Sequence, residues 1–313
     1  MRPFRFLAEI GGIASGAELA QRARHAEQLG YDTLVLPDHL IKQLSPVVTM
    51  ATVAAATSTA RVAAFVLNND LRHPAVLAQD LASIDVLSGG RLDVALGAGW
   101  NKPEYDAIGL PFDPTPVRQA RLAEAITVLK GAFSGAPFSF TGEHYTITDY
   151  RAEPVPVQRP HPPFFIGGGG RRTMTLAGRE ADIVGLAPRI RSLGKVDAVS
   201  LTLEAAREKI GWVREAAGER FPSIEFNTYP SGWPAKITDD VHGEARQIID
   251  HLRSRTGVEL TEQDVLDSPH IFIGSVDQLV EKFLHLRAEL GITSILLGAP
   301  DDLSPVLERL SGA

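Results

Sequence analysis

The sequence predicts an α/β fold of the (β/α)8 TIM-barrel class, with insertions, and three observations carry that expectation. Short apolar strand segments alternate with helical patterns along the chain until eight strands have been counted. A length of 313 residues suits a barrel folded as one domain over residues 1–313. The stretch Ile84 to Trp100, IDVLSGGRLDVALGAGW, shows one repeat without interruption. Leading into and through it, Leu77, Leu81, Ile84 and Leu87 recur at helical spacing, Gly89 and Gly90 end the helix, and Leu92, Val94 and Leu96 alternate as a strand.

In chain order, Phe4 to Glu9 reads as a first strand and Ala17 to Leu29 as a helix stopped by Gly30. Thr33 to Leu36 is a buried strand that ends at Pro37-Asp38-His39. Pro46 to Thr57 is an alanine-rich helix, Arg61 to Val66 the third strand, and Pro74 opens the next helix. Arg91 to Gly97 is the fourth strand, Ala98 to Pro114 reads as irregular, and a long helix covers about Thr115 to Phe133. Phe138 to Ile147 is a small β excursion, and the proline-rich RAEPVPVQRPHPP after it is extended.

Phe164 to Ile166 is the fifth strand, followed by Gly167-Gly168-Gly169-Gly170 and a helix from Arg171. Ile183 to Leu186 is the sixth, and Ile224 to Thr228 the seventh after a helix over Leu203 to Ala217. Ile292 to Leu297 is the eighth, after a helix over Val276 to Leu290 that opens with the capping pair Ser275 and Gln278. Between strands seven and eight, Tyr229 to Ile273 forms an insertion with its own helix from Asp239 to Arg253.

Composition narrows the function. Lysine plus arginine total 31 against 38 acidic residues, a net charge of -7, which argues against a nucleic-acid surface. The absence of cysteine removes disulfides, thiolate metal sites and thiol nucleophiles. No metal-ligand spacing occurs among the nine histidines, so no metal is expected, and His73, His144, His161 and His270 read as surface or structural residues. No apolar run approaches the ~20 residues of a membrane span, and a cytoplasmic enzyme with a small-molecule substrate is the expectation.

The unusual residues sit at strand ends, where a barrel builds its site. His39 can exchange a proton near neutral pH, and Asp38 can orient it or hold the loop; a capping aspartate beside a loop histidine is the structural alternative. Gly97-Ala98-Gly99 lets a planar ligand approach the backbone, with Trp100 as a wall. The run Gly167 to Gly170 before Arg171 and Arg172 presents successive amides, a helix N-terminus and two guanidinium groups, which favours a phosphate over a flexible loop. It matches neither a Rossmann fingerprint nor a P-loop.

DVLSGGR followed by a strand and G-x-G-W closely resembles the bacterial luciferase-like family of flavin- and deazaflavin-dependent oxidoreductases, most specifically over Thr33 to His39, Arg61 to Trp100 and Phe164 to Thr173. LPDHL looks like the deazaflavin members, in which an Asp-His pair lies over the ring. The resemblance therefore implies Asp38 and His39 as catalytic residues, and a non-proline cis peptide near Ala64-Phe65 under the ring. It also implies that the glycine loop with Arg171 and Arg172 holds the cofactor phosphate. Trp100 stands where the sugar-phosphate dehydrogenase branch has an acidic residue, a departure that argues against a sugar-phosphate substrate. The implied function is coenzyme F420-dependent hydride transfer to or from a small organic molecule, with homodimers common in the family. An FMN-dependent monooxygenase and a cofactor-binding protein without turnover are the alternatives, and an aldolase or isomerase barrel is weaker because no lysine ends a clear strand.

Overall fold

The computed structural model describes residues 2–12, 14–190 and 196–312. Its elements run β1 (Arg5–Glu9), α1 (Gly16–Leu29), β2 (Thr33–Leu36), α2 (Pro46–Ala56), β3 (Arg61–Ala64), β4 (Leu67–Asn68), α3 (Pro74–Ser88), β5 (Val94–Gly97), α4 (Lys102–Ile108) and α5 (Thr115–Phe133). They continue with β6 (Phe138–Thr141), β7 (Thr146–Tyr150), β8 (Phe164–Gly168), α6 (Arg171–Glu180), β9 (Ile183–Leu186), α7 (Leu203–Ala217), β10 (Glu225–Thr228) and β11 (Lys236–Ile237). The last are α8 (Val241–Thr256), α9 (Glu262–Leu266), β12 (Ile273–Gly274), α10 (Val276–Leu290), β13 (Ile292–Leu296) and α11 (Ser304–Leu310). All eight strands expected from the sequence are among them.

The chain divides into two compact units. The first comprises the described residues of 1–9, 25–33 and 167–313. Its sheet runs β1-β13-β10-β9, all parallel, with Phe6 opposite Ile295 and Phe226 opposite Val184. Successive buried residues such as Ile292 to Ile295 show strands covered on both faces, as parallel sheets require. Helix α10 opens with the expected capping box between Ser275 and Gln278. The insertion packs into a core in which its Val241, Ile248, Leu252, Val265 and Ile271 are buried beside Leu201 from before α7, with Trp233 against them.

The second unit comprises residues 10–24 and 34–166. It holds the parallel run β8-β5-β4, with Val94 opposite Phe164 and Leu67 opposite Leu96, and β3 beside β2. Helix α3 begins at Pro74, where His73 accepts from the Ala75 amide, and ends at Gly89 in the left-handed region. Strands β6 and β7 form an antiparallel hairpin, and the Glu124 carboxylate takes the amides of Glu143, His144 and Tyr145 in its turn.

The DVLSGGR run is a set of main-chain clamps. Buried Asp85 accepts from the amides of Val157 and Gln158 at 2.6 and 3.1 Å and from the Gln158 side chain at 2.7 Å, which fixes the proline-rich segment. Arg91 donates to the carbonyls of Ala54, Thr57, Ala60 and Ser88 and to the Thr57 hydroxyl, closing the C-terminal end of α2.

Several expectations are corrected. The fourth strand starts at Val94 rather than Arg91, because Leu92 makes only an isolated bridge to Val62 and Arg91 turns back to α2. The third strand stops at Ala64 and resumes at Leu67, and the break holds a cis peptide between Phe65 and Val66, one bond beyond Ala64-Phe65. Ala98 to Pro114 contains α4, bracketed by Pro103 and Gly109. Gly167 and Gly168 belong to strand β8, so the loop itself is shorter than the glycine run. Helix α11 follows the last strand, with Pro305 in its first turn.

Candidate active site

In the second unit, the end of β2 leads directly into Pro37, Asp38 and His39. Asp38 is buried, and its carboxylate receives both Arg72 nitrogens, at 2.6 and 3.0 Å, and the Asn68 amide at 2.9 Å. A bidentate, charge-assisted pair of this kind is strong and directional. Of the two roles open to Asp38, the geometry therefore has the one that holds the loop.

The carboxylate against His39 is that of Glu104, on α4. Its Oε2 lies 3.1 Å from Nδ1, and the side chains are 8% and 25% exposed for Glu104 and His39. With Nδ1–H donating to Glu104, Nε2 is the ring nitrogen left to meet a substrate. Trp100 stands edge-on to the imidazole, with centroids 5.5 Å apart at 82°, and is 48% exposed. The sequence does not mark Glu104 as a carboxylate partner for His39; it stands four residues beyond Trp100.

The residues beside this pair are tied together. Fully buried Tyr105 directs its hydroxyl to Asn68 Oδ1 at 3.0 Å and Asp70 Oδ2 at 3.1 Å. Burial raises its pKa to about 12, with the Asn68 bond lowering it and Asp70 raising it, so Tyr105 stays a neutral donor at ordinary pH. Arg121 bonds Asp70 at 2.9 Å and also pairs with Asp113. Arg118 donates to the carbonyls of Ala98 and Gly99 and lies 4.1 Å over the Phe112 ring. Gly99 has φ +72, and a Cβ there would collide with the Tyr105 hydroxyl and Asn68 Oδ1, so only glycine fits. A Cβ on Gly97 would lie 2.7 Å from Val66 Cγ2, just beyond the cis bond. Ala64 is buried at the end of β3, and Phe65 packs against Phe165 with centroids 5.4 Å apart.

The second predicted group lies in the first unit. Gly167 and Gly168 end β8, Gly169 makes the bend and Gly170 precedes α6. The Ala187 amide donates to the Gly168 carbonyl at 2.9 Å. A Cβ on Gly169 would stand 2.6 to 2.7 Å from the carbonyl oxygens of Pro188 and Ala187, whereas one on Gly170 would meet open space. The first turn of α6 carries no acidic residue, Arg172 is exposed, and exposed Arg171 reaches Glu215 at 3.3 Å, a pairing that water screens.

The luciferase-like monooxygenase family profile matches residues 2–294. The chain belongs to that family. It is 41% identical over 128 residues to the FMNH2-dependent dimethylsulfone monooxygenase of Pseudomonas putida, covering 41% of this chain and 35% of that one. It is 34% identical over 178 residues to the F420-dependent glucose-6-phosphate dehydrogenase of Kineococcus radiotolerans, covering 53% and 50%. The matched stretch thus spans about a third to a half of the length of these curated relatives. The coenzyme F420-dependent tetrahydromethanopterin reductase of Methanopyrus kandleri superposes with a TM-score of 0.75 at 19% identity, covering 99% of this chain and 98% of that one. The fold is therefore the α/β barrel of the luciferase-like family. No described helix of this family member is long and apolar enough to cross a membrane.

Proposed function

We propose that the chain is an oxidoreductase of the coenzyme F420-dependent group, passing a hydride between the deazaflavin and a small organic substrate. The observation that carries this reading is the bond between His39 Nδ1 and Glu104, which leaves Nε2 as the nitrogen that exchanges the accompanying proton. When bound, the deazaflavin supplies the carbon that gives or takes the hydride. For a carbonyl substrate, doubly protonated His39, its Nδ1–H held by Glu104, gives its Nε2 proton to the oxygen as the carbon gains the hydride; in reverse, the bare Nε2 of the neutral ring takes the hydroxyl proton.

The residues fit such a cofactor. Trp100 is half exposed beside His39 and can flank a flat ring, whereas the Cβ directions of Gly97 and Gly99 face Val66, Tyr105 and Asn68 and are not open to one. For the phosphate, the α6 N-terminus with Arg171 and Arg172 supplies amides and positive charge. Asp38 in this reading keeps the His39 loop in place through Arg72.

FMN-dependent monooxygenation is the second reading, favoured by the 41% identity to the Pseudomonas putida enzyme. Parallel titration with coenzyme F420 and FMN at fixed salt, followed by absorption and fluorescence, decides between them. Micromolar or tighter binding of the deazaflavin alone is the expected result. Preference for FMN together with oxygen consumption establishes the second reading, and binding of neither overturns both.

A further inference from the structure

The His39–Glu104 pair is assembled from segments 65 positions apart in the chain. Helix α4, which carries Glu104, has seven residues and no side-chain cap at Asn101. A helix so short has little stability of its own, so its position comes from tertiary anchors. His39 lies in a segment without regular structure.

Both loops are fastened to one short turn, Asn68 to Arg72, which begins at the last residue of β4. The residue before His39, Asp38, binds the turn through the Asn68 amide at 2.9 Å and through Arg72 at 2.6 and 3.0 Å. The residue after Glu104, Tyr105, binds the same turn through Asn68 Oδ1 at 3.0 Å and Asp70 Oδ2 at 3.1 Å. Asn68 therefore serves both loops, with its main-chain donor toward one and its side-chain acceptor toward the other. Asp38, Asn68 and Tyr105 are all buried, where a hydrogen bond is firm and its loss leaves an unpaired polar group.

We infer that the Asn68–Arg72 turn sets the register of His39 against Glu104, and that Asn68 and Tyr105 are positioning residues for the proton-exchanging histidine. The inference rests on the His39–Glu104 pair proposed above. A shift of about 1 Å at either loop lengthens the 3.1 Å bond beyond hydrogen-bond range and releases the imidazole. The released ring then takes the other neutral tautomer, with its proton on Nε2.

The test needs no cofactor or substrate. The full chain, labelled with 15N-histidine, is followed by two-bond 1H–15N correlation at a pH where His39 is neutral. Wild type is expected to show His39 with protonated Nδ1 and bare Nε2, and Glu104→Ala to lose that pattern. Tyr105→Phe keeps the ring packed on Phe112 and removes only the hydroxyl, and it should reduce the Nδ1–H form by about half or more. Asn68→Ala should do the same, and serves if Tyr105→Phe does not fold. Tyr31→Phe removes another buried hydroxyl, bonded to the Pro300 carbonyl at 3.0 Å, and should lower stability without moving the His39 signals. Unchanged His39 signals in folded Tyr105→Phe and Asn68→Ala, with Glu104→Ala altered, overturn the positioning role alone. Unchanged signals in Glu104→Ala overturn the pair itself, and the inference with it.

Discussion

Glu104 Oε2 lies 3.1 Å from His39 Nδ1, and the carboxylate is the more enclosed partner, 8% exposed against 25% for the imidazole. The carboxylate side of the pair is thus shielded while part of the ring reaches solvent. That asymmetry suits a group that hands a proton outward and keeps its orientation from within.

His39→Ala should lower turnover by about 10²- to 10⁴-fold, the usual contribution of a positioned acid or base, with the dissociation constant of the cofactor nearly unchanged. Steady-state rates set beside a fluorescence titration check this. Wild-type turnover in the variant would remove His39 from the mechanism.

The glycine run should respond unequally along its length. Gly169→Ala drives a methyl group into the carbonyls of Ala187 and Pro188 and should weaken cofactor binding about tenfold or more, a change of ~1.4 kcal/mol. Gly170→Ala meets no neighbour and should bind within about twofold of wild type, as long as the methyl leaves the α6 amides reachable. Equal losses at the two positions would count against this loop as the phosphate site.

Stability should depend on pH through His270, which is fully buried in the first unit. Burial, with the charge of Lys209 second, pushes its pKa from the ordinary 6.5 down to about 3. Between those values the unfolded chain binds a proton that the folded chain refuses. The contribution is therefore complete above about pH 6.5 and is lost progressively as pH falls toward 3, with a slope of at most ~1.4 kcal/mol per pH unit. Urea unfolding between pH 5 and 6.5 should show this slope in wild type and a flatter line in His270→Gln.

Arg91→Ala should cost about 2–3 kcal/mol, because several inward-facing carbonyls lose their donor together. A lower urea midpoint at unchanged m-value is the expected reading. Arg91→Lys should recover only part of it, since one ammonium cannot span acceptors spread from Ala54 to Ser88.

The barrel was legible where periodicity is strong. Leu92, Val94 and Leu96 alternate, Leu122, Ile126 and Leu129 recur on one helical face, and Ser275 with Gln278 announces a cap that the structure contains. Individual site residues were legible where the chain changes character, at Asp38-His39 and at the glycines. Their partners were not. Nothing local ties Glu104 to His39 or Arg72 to Asp38, because those contacts exist only once separate strands are paired. Helix α4 is too short for its period to register, although Pro103 and Glu104 at its start and Gly109 at its end are ordinary helix boundaries. The cis bond was expected one position early because a broken strand looks, in sequence, like a continuous one.

The run from Asp85 to Arg91 made the family resemblance visible, yet the contacts described for Asp85 and Arg91 secure neighbouring chain: Asp85 pins Val157 and Gln158, and Arg91 closes α2. A signature of this sort advertises architecture and is indifferent to chemistry. Relatives named for FMNH2-dependent monooxygenation and for F420-dependent dehydrogenation both match this chain. The proposed chemistry rests instead on less conspicuous letters, such as a glutamate four places past a tryptophan.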